Sequence, residues 1–146
     1  KLMFVFRFQT VLDFRKNVEE KILGEFSEKK RQLEFEELKL QNLMKEWSAL
    51  LGELKKMQNK AVPVGDIARY VAYIDQVKEN ENRQKIKIAE VSGQLETKRI
   101  ELLDAVRKTK IMEKLKQRHA KDYKDDERAL EQKNSDEMSV LKFGRR

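Results

Sequence analysis

The sequence predicts an all-α protein in which two long helices form an antiparallel coiled-coil hairpin, with helix 2 longer than helix 1. Charged residues make up 40% of the 146 residues, and one proline and five glycines leave few places for turns. Apolar residues recur every seven positions, which is typical of a helix that packs along its length against another. One short stretch near the middle has the composition of a turn.

That turn is predicted at residues 61–66, between a first helix over about residues 5–60 and a second over about residues 67–141. We expect residues 1–146 to form a single coiled-coil domain. Pro63 disfavours helix in the residue before it, Gly65 permits a positive φ, and Asp66 can cap the helix that follows. Helices joined by so short a connection are antiparallel neighbours.

In the first helix, apolar residues recur at two positions of the seven-residue repeat, which together form the predicted seam. One position holds Phe26, Leu33, Leu40, Trp47 and Leu54, and its partner position holds Ile22, Leu43, Leu50 and Met57. Lys29 and Glu36 occupy the partner position and weaken the seam locally. Nearer the start, Val11, Phe14, Val18, Ile22 and Phe26 step by three or four residues, which predicts a stutter that locally unwinds the supercoil.

The second helix resumes the repeat after the turn. One position holds Ile67, Ile74, Ile88, Leu95 and Leu102, and the other holds Tyr70, Val77, Val91, Ala105 and Met112. Glu81 and Gln84 interrupt it, and beyond Met112 the pattern thins to Leu115, Tyr123 and Leu130. Pairing Trp47 with Val77 fixes a register that brings Phe6 near Arg118 and His119. In this register the chain after about Tyr123 has no partner in the first helix.

Composition argues against catalysis and cofactor binding. The chain has no cysteine, no glycine-rich phosphate loop, and one histidine, His119, with no nucleophile beside it. We therefore expect no catalytic, cofactor-binding or metal-binding residues, and interpret His119 as a seam or surface residue. The net charge of +7 is small beside 33 basic and 26 acidic residues, so we expect no nucleic-acid binding.

No apolar run is long enough to cross a membrane, and the start of the chain lacks the apolar core of a signal peptide. We expect a cytoplasmic protein. Met3 is interpreted as the native initiator, with Lys1 and Leu2 left by a cloning vector.

Two places carry more apolar side chains than a two-helix seam needs. Residues 67–77, which we call the turn-proximal face, are mostly apolar, and Tyr73, Ala72 and Val71 fall outside or beside the seam. An uncovered patch of this kind indicates a protein-binding surface, although Tyr73 could instead pack on Val62 and Val64. The other place is the start of the chain, with Phe4, Phe6, Phe8 and Phe14, opposite a basic segment of the second helix.

Three stretches resemble the FliJ family of the bacterial flagellar type III export apparatus. The opening residues 6–12 with Arg15, the start of the second helix at residues 69–77, and the closing residues 112–138 are similar to family motifs in order and spacing. The resemblance implies a non-enzymatic stalk that inserts into the FliI-like export ATPase hexamer and contacts the FlhA-like export gate and the export chaperones. Such a protein would be a monomer when free and would associate with the inner face of the cytoplasmic membrane at the flagellar base.

The same resemblance implies two sets of binding residues. Tyr73, Val77 and Val71 would bind the export gate. The residues that would bind the ATPase ring are Phe6, Phe8, Arg118, Tyr123, Gln132 and Asp136. Three alternatives stay open: the corresponding stalk of a virulence type III secretion system, a generic dimerising coiled-coil adaptor, and a basic nucleic-acid-binding rod.

Overall fold

The structure is a computed structural model that describes residues 3–144, so the expectation for Lys1 and Leu2 lies outside the described residues. Two helices account for most of this range: α1 covers Gln9–Gln58 and α2 covers Val64–Gly144. No strand occurs between residues 3 and 144. The prediction of an all-α fold with two long, mutually packed helices is confirmed, and α2, at 81 residues against 50, is the longer.

The turn is shorter than its composition suggested, because α2 already begins at Val64. The Pro63 carbonyl accepts the amides of Asp66 (3.1 Å) and Ile67 (3.4 Å) and so starts the helix. Asp66 therefore lies inside the first turn of α2, where its negative charge favours the helix N-terminus. The positive φ that Gly65 permits is not used, since Gly65 is helical and no described glycine has a positive φ.

The contacts divide the chain into two units, which we describe separately. Unit 1 combines the residues up to Lys21 with those from Leu102 onward, and unit 2 is Ile22–Glu101. In unit 2 the cross-helix hydrogen bonds join Tyr73 to Glu46, Gln84 to Glu36, Gln94 to Lys29 and Lys98 to Glu25. The partner number in α1 falls as the α2 number rises, so the two helices run antiparallel.

The core of unit 2 follows the predicted seam on α2. Ile74, Val77 and Val91 are all buried, and Val91 is only 1% exposed. These three residues sit at the seam positions that the heptad repeat assigns to α2. Burying aliphatic side chains of this size stabilises the pair by about 1.5–3 kcal/mol each.

Polar residues interrupt this seam as the pattern predicted, and the structure shows how they are accommodated. Gln84 donates through Nε2 to both the main-chain carbonyl (2.9 Å) and the carboxylate of the buried Glu36. Lys29 donates to Gln94 across the helix pair (2.8 Å). Glu81 is also buried, and its Oε1 lies 3.4 Å from the ammonium groups of Lys78 and Lys85.

The start of α1 in unit 1 corrects the predicted stutter. Leu12 is 1% exposed, whereas Val11 and Phe14 are exposed. Leu12 and Phe26 are joined through Glu19 by unbroken seven-residue steps, so the repeat continues back to the first turn of α1 without an inserted step. The prediction that Val11 and Phe14 belong to the seam is wrong because the polar residue at position 19 hid the true repeat.

The α2 part of unit 1 packs on α1 only up to its middle. Ala105 and Thr109 are buried, and Thr109 is satisfied by donating to the Ala105 carbonyl at 3.1 Å. Tyr123 and Glu127 are the last half-buried residues, and residues 128–144 are all exposed. Leu130 is exposed, which agrees with the predicted register, in which the chain after about Tyr123 has no partner in the first helix.

Candidate functional site

The turn-proximal face is only partly exposed. Tyr73 is 50% exposed and Val71 is 40% exposed, whereas Ile74 and Val77 point into the seam. Of the three residues predicted to bind the export gate, the surface therefore presents Tyr73 and Val71, and Val77 lies beneath them in the core. Ala68 and Ala72 are exposed as well, so the free face has one aromatic and three small aliphatic residues.

A hydrogen bond to α1 fixes the orientation of the Tyr73 ring. Its hydroxyl donates to Glu46 Oε1 at 2.6 Å. Because this bond and the nearby negative charge favour the protonated phenol, the pKa of Tyr73 is raised above its ordinary value. The ring is thus tethered across the helix pair with half its surface still open to a partner.

A cation–π contact joins the two helices next to Val77. The Lys78 ammonium lies 4.6 Å from the centroid of the Trp47 ring. Such contacts contribute about 0.5–1 kcal/mol at exposed sites. On this side, the turn-proximal face is therefore bordered by residues of both helices.

An aromatic cluster in unit 1, formed by Phe4, Phe6, Phe8, His119 and Tyr123, occupies the other predicted place. Phe6 is 4% exposed, and its ring centroid lies 5.9 Å from that of Phe8 and 5.6 Å from that of His119. Phe4 packs on Tyr123 at 5.7 Å. The register predicted from the repeat, which placed Phe6 near His119, matches these contacts.

The aromatic cluster also forms the start of α1. The carbonyls of Phe6 and Phe8 accept the amides of Gln9 and Leu12 at 3.1 and 3.0 Å. Lys116 donates to Gln9 Oε1 at 2.8 Å and ties this turn to α2. The non-helical residues before Gln9 thus pack their rings on α2, and α1 begins directly after them.

The residues predicted to bind the ATPase ring divide into two groups. Phe6, Phe8 and Tyr123 belong to the aromatic cluster, and Arg118 is exposed beside His119. Gln132 and Asp136 lie farther along α2, where Gln132 Nε2 donates to Asp136 Oδ1 at 3.0 Å. The structure therefore brings the first group together and leaves the second on the exposed end of α2.

Sequence reasoning missed Glu46, which holds Tyr73. Glu46 gave no signal because it is one of many acids of α1 outside the apolar seam positions. His119 was interpreted as a seam or surface residue, and the register that placed it near Phe6 agrees with the contact between their rings.

The described residues carry no cluster of His, Asp or Glu arranged to hold a metal ion. Among the same residues, no helix combines the length and apolar content that crossing a bilayer requires.

The family comparison decides the identity. A family model described as "Flagellar FliJ protein" matches residues 3–146. The chain belongs to the FliJ family. The resemblance drawn from the terminal and turn-proximal motifs is thereby confirmed, and the chain is a component of the flagellar type III export apparatus. No curated protein and no solved structure matches it in the two other comparisons.

Proposed function

We propose that this FliJ-family chain is a non-enzymatic stalk that couples the FliI-like export ATPase hexamer to the FlhA-like export gate and to export chaperones. The family match over residues 3–146 is the observation that carries this proposal. The chain would act in the cytoplasm, at the inner face of the cytoplasmic membrane where the flagellar base lies. It would be monomeric before it joins these partners.

The end of α2 and the aromatic cluster support an ATPase-facing role. Residues 128–144 leave every side chain exposed, including Gln132 and Asp136, so a surrounding ring could reach all sides of this helix. Phe6 and Tyr123 would act by holding the cluster against α2, while Phe8 and Arg118 would contact the ring. A single helix with no packed face frays when alone, and a ring that grips it would offset that cost.

The turn-proximal face supports a separate gate-binding role. Tyr73 and Val71 are exposed, and the Glu46 bond holds the Tyr73 ring in one orientation before any partner arrives. A preoriented aromatic side chain loses little entropy on binding. Val77 would contribute by supporting this face from beneath.

The test measures the rate of the cognate export ATPase, under conditions where it forms its ring, with and without this protein. Truncation after Glu127 keeps the Tyr123–Phe4 contact and removes the exposed end of α2, and we expect it to abolish stimulation. Tyr73→Ala with Val71→Ala should retain stimulation but weaken binding to the cytoplasmic part of the gate protein. No stimulation by the full chain would contradict the stalk mechanism.

Sedimentation separates this proposal from a generic adaptor. A monomer is expected for the stalk, whereas a stable dimer through the seams would favour a dimerising adaptor. Restoring swimming in a flagellar export mutant, with no rescue of a virulence secretion mutant, would separate the flagellar system from its virulence counterpart.

A further inference from the structure

One face of α2 in unit 1 belongs neither to the seam nor to the aromatic cluster. It forms two adjoining shallow grooves of about 390 and 320 Å³, which share Ile111 and Lys114. The grooves extend from Leu103 to Arg118, about 24 Å of helix at about 1.5 Å per residue. We call this surface the basic groove.

Its floor is aliphatic and accessible. Leu103 is 51% exposed and Ile111 is 59% exposed, while Val106 and Leu115 are half-buried at the edge of the seam. Apolar side chains spaced four and eight residues apart on one helix face are the pattern into which a neighbouring helix packs.

The rim of the basic groove is entirely cationic. Its charged members are Arg107, Lys110, Lys114 and Arg118. Each is exposed, and none of the four forms an ion pair with a described residue, in contrast to the neighbouring Lys108, which pairs with Asp104 at 3.0 Å. No carboxylate lines either groove. Four cations left without internal partners around an apolar floor produce a local positive potential.

We propose that the basic groove docks an acidic amphipathic helix of another protein, as a third helix alongside α2. Leucine-like residues of the partner would pack against Leu103 and Ile111, and its glutamates or aspartates would pair with Arg107, Lys110 and Lys114. Charge complementarity selects this occupant, because an acidic helix supplies both the apolar stripe and the missing carboxylates.

A lipid surface fits the geometry less well. Helices that lie in a membrane interface separate a broad apolar face from a cationic one. Here the cations interleave with two exposed aliphatic residues on the same face. The opposite face of α2 is occupied by the seam, where Ala105 and Thr109 are buried. A nucleic acid would use the cations but not Leu103 or Ile111.

The test titrates the full-length protein with a fluorescent helical peptide of about 18 residues, long enough to span the groove at about 1.5 Å per residue. The peptide carries leucines at every third or fourth position, flanked by glutamates. We expect saturable binding that weakens as salt is raised. A peptide of the same composition, with its leucines scattered around the helix, should not bind.

Variants of exposed residues locate the site. Lys110→Glu with Lys114→Glu should weaken binding about tenfold or more, which corresponds to about 1.4 kcal/mol. A peptide with lysines in place of its glutamates should bind this variant better than the wild type. Ile111→Ser should also weaken peptide binding, because it removes an apolar side chain from the floor of the groove. The matched control, Lys45→Glu with Lys87→Glu, reverses two exposed cations of unit 2 and should have no effect.

Several outcomes would overturn the proposal. One is equal binding of both double variants to the peptide. A second is that the chain forms a dimer and that Lys110→Glu with Lys114→Glu dissociates this dimer. A third is that the chain binds phosphatidylserine vesicles or duplex RNA, and that the same double variant abolishes this binding while it still binds the peptide. The ATPase assay is run in parallel. Retained stimulation with lost peptide binding supports a separate docking surface, whereas joint loss would assign the groove to the ATPase and overturn it.

Discussion

At the scale of single residues, the Tyr73–Glu46 pair shows how an exposed side chain acquires a defined orientation. A phenol that donates at 2.6 Å to a carboxylate loses its proton less readily, since ionisation would place two negative charges side by side. The raised pKa of Tyr73 is therefore a direct readout of whether the bond between the helices is formed in solution.

Replacing Glu46 by Gln should lower the pKa of Tyr73 toward its ordinary value, because the amide removes the neighbouring charge. The measurement is the phenolate absorbance as pH is raised, in a chain that also carries Tyr70→Phe and Tyr123→Phe so that only Tyr73 titrates. The pKa of Tyr73 is raised in the folded state. The stability that the Tyr73–Glu46 hydrogen bond contributes is therefore complete below about pH 10, and it is lost as the pH rises through the pKa of Tyr73 in the folded chain.

The matched control is Glu53→Gln, an exposed acid of α1 that pairs with Lys56 at 3.6 Å. It should leave the Tyr73 titration unchanged. A Glu46→Gln chain whose Tyr73 titrates like the parent would show that the hydrogen bond does not persist in solution.

Residue burial could be predicted where apolar residues continue the repeat and not where polar residues replace them. Val77 and Val91 follow directly from the spacing and are buried. Leu12 was missed because reading only apolar positions led through Val11 and Phe14, although the seven-residue step passes through Glu19. A helix keeps its period whatever residue stands at a position. The helical period, and not the apolar character of Val11 and Phe14, therefore decided which side chain is buried.

At the scale of elements, the seam of unit 2 contains a destabilising interruption. Glu81 is 3% exposed, and its Oε2 has no hydrogen-bond partner among the described residues. A buried polar atom without a partner costs about 1–3 kcal/mol. The lysines that reach Oε1 are half exposed and only partly offset this cost, since ion pairs near solvent contribute little.

Glu81→Leu should therefore stabilise the chain by about 1–3 kcal/mol, as replacement of buried charge by an apolar side chain often does. Urea unfolding followed by circular dichroism measures the change. Glu79→Leu, at an exposed position that pairs with Arg83 at 2.6 Å, is the control and should change stability by less than about 0.5 kcal/mol. A loss of stability in Glu81→Leu would mean that the carboxylate has a structural role in solution.

The elements and their pairing were predictable because a short connection leaves two long helices only one way to pack. Pairing Trp47 with Val77 brought Phe6 close to His119, and the rings are in contact. The side-chain bonds of the candidate sites were not predictable. Whether Tyr73 packs on the turn or reaches Glu46 depends on rotamers set by the facing helix, which a repeat in one helix does not encode.

At the scale of the whole molecule, the start of α1 and the end of α2 differ in what stabilises them. The start of α1 is held by ring packing and by the Lys116–Gln9 bond, whereas the end of α2 beyond Glu127 buries nothing. Helical stability in proteins comes mainly from packing of one face, and isolated helices of this length are marginal in water. The end of α2 is therefore the part of the chain that depends most on a partner.

In the free protein, amide hydrogens of residues 128–144 should exchange with solvent far faster than those around Val91, because opening this segment costs little free energy. Hydrogen exchange read by mass spectrometry compares the two regions within one sample. Protection of residues 128–144 in the free chain would instead mean that they pack without the ATPase, and the gripping role proposed for the ring would lose its physical basis.

Truncation after Glu127 should leave the melting temperature within about 2 °C of the parent, since no packed residue is lost. Truncation after Asp122 also removes the contact between Tyr123 and Phe4, and it should lower the melting temperature by several degrees more.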